Sequence, residues 1–192
     1  MRQVTVHSTI SAPREQVFDV LADLGARPAF TDHYLSEYRL ARADCHGLGA
    51  AACFVIDAPF AKESAGMAII ECDRPRRIVE ELHVGRRGRS RAVAVYELAP
   101  DPAGNTKVEL TTYSEPATAI DRFRQRRVHR WMRRQTKTAL ERLRQIFEEP
   151  PKHPLARATI AGFEPWKGPR FGSHAGVVPG NEEVIEAAAG AE

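Results

Sequence analysis

The chain has 192 residues, of which 43% are hydrophobic and 28% charged, and its 28 Lys and Arg against 25 Asp and Glu give a net charge of +3. These values are typical of one globular domain with some surplus residues. They exclude a chain that binds nucleic acid through its overall charge, so a basic surface must be local. No run approaches the roughly 18 consecutive apolar residues that a membrane-spanning helix requires.

The cysteines and the known short motifs give no indication of a metal or cofactor. Cys45, Cys53 and Cys72 are odd in number and lack metal-ligand spacing, so we expect free thiols that pack as small apolar groups. The chain has no nucleophile elbow, phosphate-binding loop or dinucleotide fingerprint. No charged start followed by an apolar segment marks export, and we therefore expect a cytoplasmic protein without metal or cofactor.

The first 35 residues predict one strand followed by two short helices. "VTVHSTI" at 4–10 alternates in the manner of a half-buried strand. "SAPREQVFDVLADL" at 11–24 places Val17, Phe18 and Leu21 on one face of a helix. "RPAFTDHYL" at 27–35 predicts a further helical turn or two.

Residues 36–115 predict six more strands arranged as three hairpins. "SEYRLARAD" and "AACFVIDAPF" are joined through the glycines of "CHGLG", and "ESAGMAIIECD" is joined to "RIVEELHV" through "RPR". "RAVAVYEL" follows "GRRGRS", and "TKVELTTYSE" follows "APDPAGN". The predicted total is seven strands.

A long helix is predicted over 117–147, and it ends before Pro150 and Pro151 because proline cannot continue the helical hydrogen bonds. At 3.6 residues per turn, one side of this helix is apolar and the other is basic. The apolar side carries Val128, Trp131, Met132, Ala139, Leu143 and Ile146, with Gln135 and Thr136 among them. The other side carries Arg126, Arg127, Arg130, Arg133, Arg134, Lys137 and Arg144. So wide an apolar face indicates burial against a sheet.

We divide the chain into a domain at 1–148 and a tail at 149–192. The tail is rich in Pro, Gly and Ala and lacks periodicity, so we expect it to be mostly disordered. "FEPWKGPRF" at 163–171 is the exception, since its three aromatic residues could dock on the domain or on a partner.

The chain resembles the START/Bet v 1-like (SRPBCC) superfamily, often labelled polyketide cyclase/dehydrase-like. The resemblance is carried by "VTVHSTISAPREQVFDVLADL", "GLGAAACF", "CDRPRRIV", "VYELAPDPAGNTKVEL" and "RRQTKTALERLRQIFE". It implies an α+β helix-grip fold, in which a seven-stranded antiparallel sheet wraps around a long C-terminal helix, with two short helices after strand 1. Between sheet and helix it implies a cavity for a lipid, a polyketide or another apolar molecule.

The resemblance also implies which residues of the long helix line the cavity. The N-terminal half of the helix would cover it, so that Val128, Trp131, Met132, Gln135 and Thr136 face the ligand. Two polar groups among apolar neighbours suit the orientation of an apolar ligand. A satisfied core Gln or Thr would give the same pattern.

Strand alternation extends this list. Outward-pointing charged residues on the strands send their neighbours inward, because successive side chains alternate between the two faces. The inward residues are Phe54, Ile56, Ala94, Tyr96, Leu98, Val108, Leu110 and Thr112. Of these, Tyr96 would be a hydrogen-bonding residue of the cavity wall.

Two sites could supply acid or base chemistry. "RIVEELHV" carries Glu80 on one face and Glu81 on the other, and one of these carboxylates could face the cavity. His33 in "FTDHYL" could border the cavity mouth. A solvated position at the rim is the alternative for each.

Three functions therefore remain open. The chain could bind or carry a hydrophobic small molecule, or it could be a polyketide cyclase/dehydratase-type enzyme that uses Glu80 or His33 as acid or base. In the third hypothesis, the arginine face of the long helix contacts an anionic membrane transiently. We expect no nucleic-acid partner, because Trp131 points away from the basic side. The oligomeric state stays open.

Overall fold

Seven antiparallel strands form one sheet in the computed structural model, which describes residues 2–59, 61–85, 88–115, 119–149, 155 and 157–162; of residues 2 and 119–127 it describes the backbone. The strands are β1 (Arg2–Ile10), β2 (Leu35–Leu40), β3 (Ala51–Ala58), β4 (Ala61–Asp73), β5 (Arg77–Val84), β6 (Ser90–Pro100) and β7 (Thr106–Glu115). Their order across the sheet is β1-β7-β6-β5-β4-β3-β2. Every neighbouring pair except β1 and β7 is consecutive in the chain, as hairpins require.

Three helices complete the described fold: α1 (Arg14–Ala22), α2 (Pro28–Thr31) and α3 (Ala119–Glu148). Pro28 is the first residue of α2, where its missing N–H is not needed. The predicted element order and the helix-grip fold are confirmed, and α3 ends one residue beyond the predicted 147.

The alternation of the strands divides the sheet into two faces. On β3, β6 and β7 the burial pattern alternates, and its buried positions include Phe54, Tyr96 and Leu110. These residues share one core with Leu140 and Leu143 of α3. We call the face that carries them the inner face, and each fully buried leucine there contributes about 1.5–3 kcal/mol to stability.

A bulge in β2 changes which residues of that strand point inward. Ser36 pairs with Val55 and Arg39 with Cys53, so two residues of β2 lie opposite one residue of β3. Glu37 takes up the extra length with a positive φ of 51°. Because of the bulge, Tyr38 is buried on the inner face, where its ring stacks on Phe54 at 5.6 Å.

Part of the predicted tail lies on the domain. Residues 157–162 run along the edge of β2, where Leu40 N donates to Thr159 O at 2.9 Å. Docking of the segment 163–171 on the domain or on a partner is not tested, because this segment lies outside the described residues. The expectation of disorder for most of the tail stays a prediction.

Candidate ligand site on the inner face of the sheet

The centre of the inner face holds a buried ion pair. Arg27, just before α2, is 2% exposed, and Glu80 on β5 is 3% exposed. Arg27 Nη2 donates to Glu80 Oε1. Glu80 sits opposite Ala94 in the register of β5 and β6, which puts its carboxylate among apolar residues. Since a buried charge must be paired, each of these residues requires the other.

Two further hydrogen bonds and two aromatic contacts fix the guanidinium of Arg27. Nη1 donates to Tyr96 Oη at 2.6 Å, and Nη2 also donates to the backbone oxygen of Leu21 at 2.8 Å. The guanidinium carbon lies 5.5 Å from the ring centre of Phe30 and 5.3 Å from that of Tyr96. The planar cation therefore lies within cation–π distance of two aromatic rings.

Arg27, Glu80, Tyr96, Tyr34 and Tyr38 form a polar cluster whose charges act on one another, and burial shifts the pKa values of its members. Burial raises the pKa of Glu80 above its usual range, and the charge and hydrogen bond of Arg27 offset part of that effect. Burial, the largest single effect, would lower the pKa of Arg27, but Glu80, Tyr96, Tyr38 and Tyr34 together outweigh it and the net shift is upward. Burial also raises the pKa of Tyr96. The cluster thus contains a permanent cation and neutral phenols.

Two buried donors of the cluster have no hydrogen-bond partner within the described part of the chain. They are Arg27 Nε and Tyr38 Oη, and Tyr38 is 2% exposed. Burial raises the pKa of Tyr38, so its hydroxyl keeps its proton. An unpaired buried donor costs about 1–3 kcal/mol. A ligand oxygen that accepts from these groups would recover that energy.

His33 lies where α2 meets α3. Its Nε2 donates to the backbone oxygen of Gln135 at 3.1 Å, and its ring contacts Tyr34 edge to face at 4.8 Å. Tyr34 in turn contacts Trp131 at 6.3 Å. Burial lowers the pKa of His33, and burial raises that of Tyr34 to about 12. Both groups are therefore neutral near pH 7.

The second ring nitrogen of His33 is unpartnered within the described part of the chain. Asp32, the residue before it, is engaged by Arg142 of α3, so that carboxylate ties the two helices together. His33 Nδ1 is buried and has no hydrogen-bond partner among the residues that the structure describes. This nitrogen is available as a proton acceptor.

The fold shows which of the two adjacent glutamates of β5 points inward. Glu80 points inward, and Glu81 lies on the outer face, where Arg91 and His83 approach its carboxylate. Only Glu80 of the two is therefore in a position to act on the inner face.

The structure places the predicted ligand residues at different depths. The buried ones are Phe54, Ile56, Tyr96, Leu98, Leu110 and Thr136. The half-buried ones are Thr112, Trp131, Met132 and Gln135. The hydroxyl of Thr136 donates to the backbone oxygen of Met132 at 2.9 Å, which is the contact of a satisfied helical threonine. A role for these residues in binding stays a prediction.

Val128 departs from the expected placement, since 37% of it is exposed. The cause is its position along α3 and not its direction. Ile146, which is 7% exposed, follows Val128 by five turns at 3.6 residues per turn and so points the same way. The buried core includes Ile146 but does not extend along α3 as far as Val128.

Three residues of the cluster were missed by the sequence analysis: Arg27, Tyr34 and Tyr38. One signal was present, because Arg27 is a single charge in the apolar stretch "LGARPAF" and Glu80 a single acid on the apolar face of its strand. Charges in such places are almost never buried unless they are paired.

The outer face carries an open depression of about 460 Å³. Its lining includes Arg39, Cys53, Ser64 and His83, around the position of Gly66. Among the described residues, none that line it has an unpartnered buried polar atom. We therefore place the candidate site on the inner face.

The described ranges give no indication of a metal site or of a membrane span. There, no three His, Cys, Asp or Glu side chains come together as a metal would require. No described helix is long and apolar enough to cross a membrane.

Comparison with solved structures supports the fold. The chain is similar to protein TTHA0849 of Thermus thermophilus, with 18% identity and a TM-score of 0.60 over 75% of this chain and 95% of that one. It is also similar to protein CV1439 of Chromobacterium violaceum, with 17% identity and a TM-score of 0.56 over 77% and 99% of the two chains. Ginseng major latex-like protein 151 from Panax ginseng gives 9% identity and a TM-score of 0.57 over 76% and 97%. These likenesses show a shared fold.

No curated protein matches the sequence significantly. A family model does match, over residues 1–148, and its description is polyketide cyclase / dehydrase and lipid transport. This range covers the whole sheet and α3, and it confirms the superfamily to which the sequence pointed. The chain belongs to the polyketide cyclase/dehydrase and lipid transport family.

Proposed function

We propose that the chain binds a hydrophobic small molecule that carries an oxygen acceptor, on the inner face of the sheet beneath α3, and that it acts as a carrier or sequestering protein. The observation that supports this most is the pair of buried, unpartnered donors on Arg27 and Tyr38. The family description is consistent with such ligands.

The surroundings of the two donors favour a largely apolar ligand. Tyr38 stacks on Phe54, and Arg27 lies against Phe30 and Tyr96. Glu80 already neutralises the charge of Arg27, so the ligand needs a hydrogen-bond acceptor more than a full negative charge. A carboxylate, sulfonate, enol or ketone oxygen on an apolar body fits this description.

A matched pair of fluorescent probes tests the proposal. 1-Anilinonaphthalene-8-sulfonate (ANS) has an apolar body and an acidic oxygen group, and N-phenyl-1-naphthylamine lacks the sulfonate. Tyr38→Phe removes one donor and keeps the ring that stacks on Phe54. We expect ANS to bind this variant about 2- to 12-fold more weakly, the value of one hydrogen bond, and the neutral probe to bind as before.

The control is Tyr113→Phe, the same chemical change at a half-buried tyrosine of β7 whose position in the strand directs it to the outer face. It should leave both affinities unchanged. Equal affinity of wild type and Tyr38→Phe for ANS would contradict the proposal.

A second candidate function is cyclisation or dehydration of a polyketone, and the buried carboxyl of Glu80 favours it. Burial raises the pKa of Glu80, which moves the group toward the range of a general base. As a carboxylate it would take a proton from carbon between two carbonyls. The enolate would attack a second carbonyl, and the acid would return its proton to the new alkoxide. His33, with Nδ1 unpartnered in the described structure, is the alternative base.

Glu80→Gln and His33→Gln separate the enzyme from the carrier. In an enzyme, one of them should abolish turnover of a poly-β-ketone, whereas a carrier has no turnover to lose. Absence of turnover in the wild-type protein would remove this candidate.

A third candidate is contact with an anionic membrane, favoured by the exposed side of α3. Arg130, Arg133 and Arg134 are exposed and form no ion pair with any side chain that the structure describes. Lys137 and Arg144 on the same helix are paired with acids one turn away. Arg126 and Arg127 lie outside the described side chains. Each exposed cation contributes about 1 kcal/mol near anionic lipid.

Two double variants with equal charge loss test this contact. Arg130→Gln with Arg133→Gln should lower sedimentation with phosphatidylserine vesicles. Lys137→Gln with Arg144→Gln should change it less, because those charges are already paired. The same loss in both variants would point to net charge alone, and no binding by the wild type would remove the idea.

A further inference from the structure

Residues 157–162, which we call the C-terminal strap, are attached to the domain by backbone hydrogen bonds at two places. Ala158 N donates to Gly25 O at 2.8 Å, and Leu40 N donates to Thr159 O at 2.9 Å. Ala158 is 4% exposed and belongs to the core cluster. The strap closes with a turn in which Thr159 and Gly162 bond each other. It is thus a packed element of the fold.

Arg157 anchors the start of the strap. Its guanidinium donates to both carboxylate oxygens of Asp23, in the bidentate geometry that makes such pairs specific. Its Nη2 also lies 3.5 Å from Cys45 Sγ. Gly25 allows this approach, because a Cβ there would lie 2.9 Å from Arg157 Nη2.

The two domain residues to which the strap bonds lie close in sequence to the two donors of the candidate site. Gly25 accepts from the strap and is two residues before Arg27. Leu40 donates to the strap and is two residues after Tyr38. At the end of the strap, a Cβ on Gly162 would lie 3.9 Å from the backbone oxygen of Tyr38. The strap therefore spans the two chain segments that carry Arg27 and Tyr38.

We infer that the C-terminal strap positions Arg27 and Tyr38 relative to each other and thereby sets the affinity of the ligand site. The inference rests on the proposed function, since it takes these two donors as the ligand anchor. Because linkage between two binding events is reciprocal, ligand binding also holds the strap in place. Arg157 and Asp23 are positioning residues in this scheme, as neither is among the residues of the site.

The first test measures the effect of the strap on the ligand. Arg157→Gln in the full chain should weaken ANS binding about fivefold, at the low end of usual coupling between sites. Arg157→Lys, which keeps one donor to Asp23, should restore most of the affinity. Arg144→Gln, the same change at an exposed arginine paired with Glu148, is the matched control and should have no effect.

The second test measures the effect of the ligand on the strap. In a Cys53→Ser, Cys72→Ser protein, Cys45 is the remaining thiol, and Arg157 lies against it. Saturating ANS should slow its reaction with iodoacetamide about fivefold, the same factor as in the first test. Arg157→Gln should remove the effect of ANS on this reaction.

The results separate the two proposals. Unchanged ANS affinity in Arg157→Gln, or a Cys45 reaction rate that ANS does not alter, overturns the strap proposal. The discrimination between the two probes by Tyr38→Phe tests the ligand anchor by itself. If that discrimination is observed while the strap tests fail, only the strap proposal is wrong.

Discussion

Arg27 and Glu80 form a buried ion pair at the centre of the inner face. Each is at least 97% buried, and each neutralises the other. Replacing both members of such a pair with apolar residues is often neutral, but removing one member strands the other charge. Their value to the protein is therefore that they fix the position of a cation among aromatic rings, more than that they add stability.

Removal of Glu80 should be far more damaging than removal of a surface acid. We expect Glu80→Leu to lower the free energy of unfolding by about 3–5 kcal/mol, because Arg27 then remains buried and unpaired. Glu97→Leu is the control, since Glu97 is exposed and 3.5 Å from Arg77 across the sheet, and its loss should change stability by less than about 1 kcal/mol. Urea unfolding measures both, and similar losses would contradict the account.

His33 should make stability depend on pH. Burial lowers its pKa in the folded protein, so below the usual value of about 6.5 the unfolded chain binds more protons than the folded one. Its contribution is therefore present above pH 6.5 and is lost as the pH falls. His33→Gln keeps a side-chain N–H that can reach the Gln135 carbonyl, and it should flatten the stability profile between pH 6.5 and 5. An unchanged slope would show that another group causes the dependence.

At the scale of elements, the β2 bulge decides which side chains reach the site. Without it, the alternation that buries Leu35 would also turn Glu37 and Arg39 inward. The bulge reverses the alternation and brings Tyr38 in. The left-handed conformation of Glu37, with φ 51°, makes this possible.

Glycine should suit position 37 better than glutamate does. A left-handed residue with a Cβ is disfavoured by about 1–2 kcal/mol, and glycine is free of this penalty. We expect Glu37→Gly to raise the free energy of unfolding by about 0.5–1 kcal/mol. Arg39→Gly, two residues on and equally exposed, should lower it by a similar amount. A loss of stability in both variants would argue against the bulge.

The bulge also marks the limit of prediction from sequence. Strand alternation correctly placed Phe54, Tyr96 and Leu110, because β3, β6 and β7 keep an unbroken alternation there. It gave no prediction for Tyr38, since no local signal gives the position of a bulge.

Long-range contacts set the other limits. Arg27 meets Glu80 from 53 residues away in the chain, and the strap meets the loop at Asp23 from 134 residues away. The apolar pattern of α3 predicted its buried side. It did not predict how far along the helix this burial extends, so the exposure of Val128 was not anticipated.

At the scale of the whole molecule, one core joins the inner face of the sheet, the short helices and the C-terminal half of α3. The polar cluster lies inside this core. The loop before α2 contributes Arg27 to the cluster, and the strands β2, β5 and β6 contribute Tyr38, Glu80 and Tyr96. His33 and Tyr34 connect this cluster to Gln135 and Trp131 of α3. The fold thus surrounds a few fixed polar groups with apolar ones, which is the composition of a small-molecule site.

The measurement that tests the central claim most directly is an NMR titration of the ¹⁵N-labelled full chain with ANS. The account predicts that the Nε–H resonance of Arg27 shifts on binding, together with the amides of Tyr38, Glu80 and Tyr96. Shifts confined to Cys53, Gly66 and His83 would place the ligand in the depression on the outer face, and would contradict the claim that the inner face is the binding site.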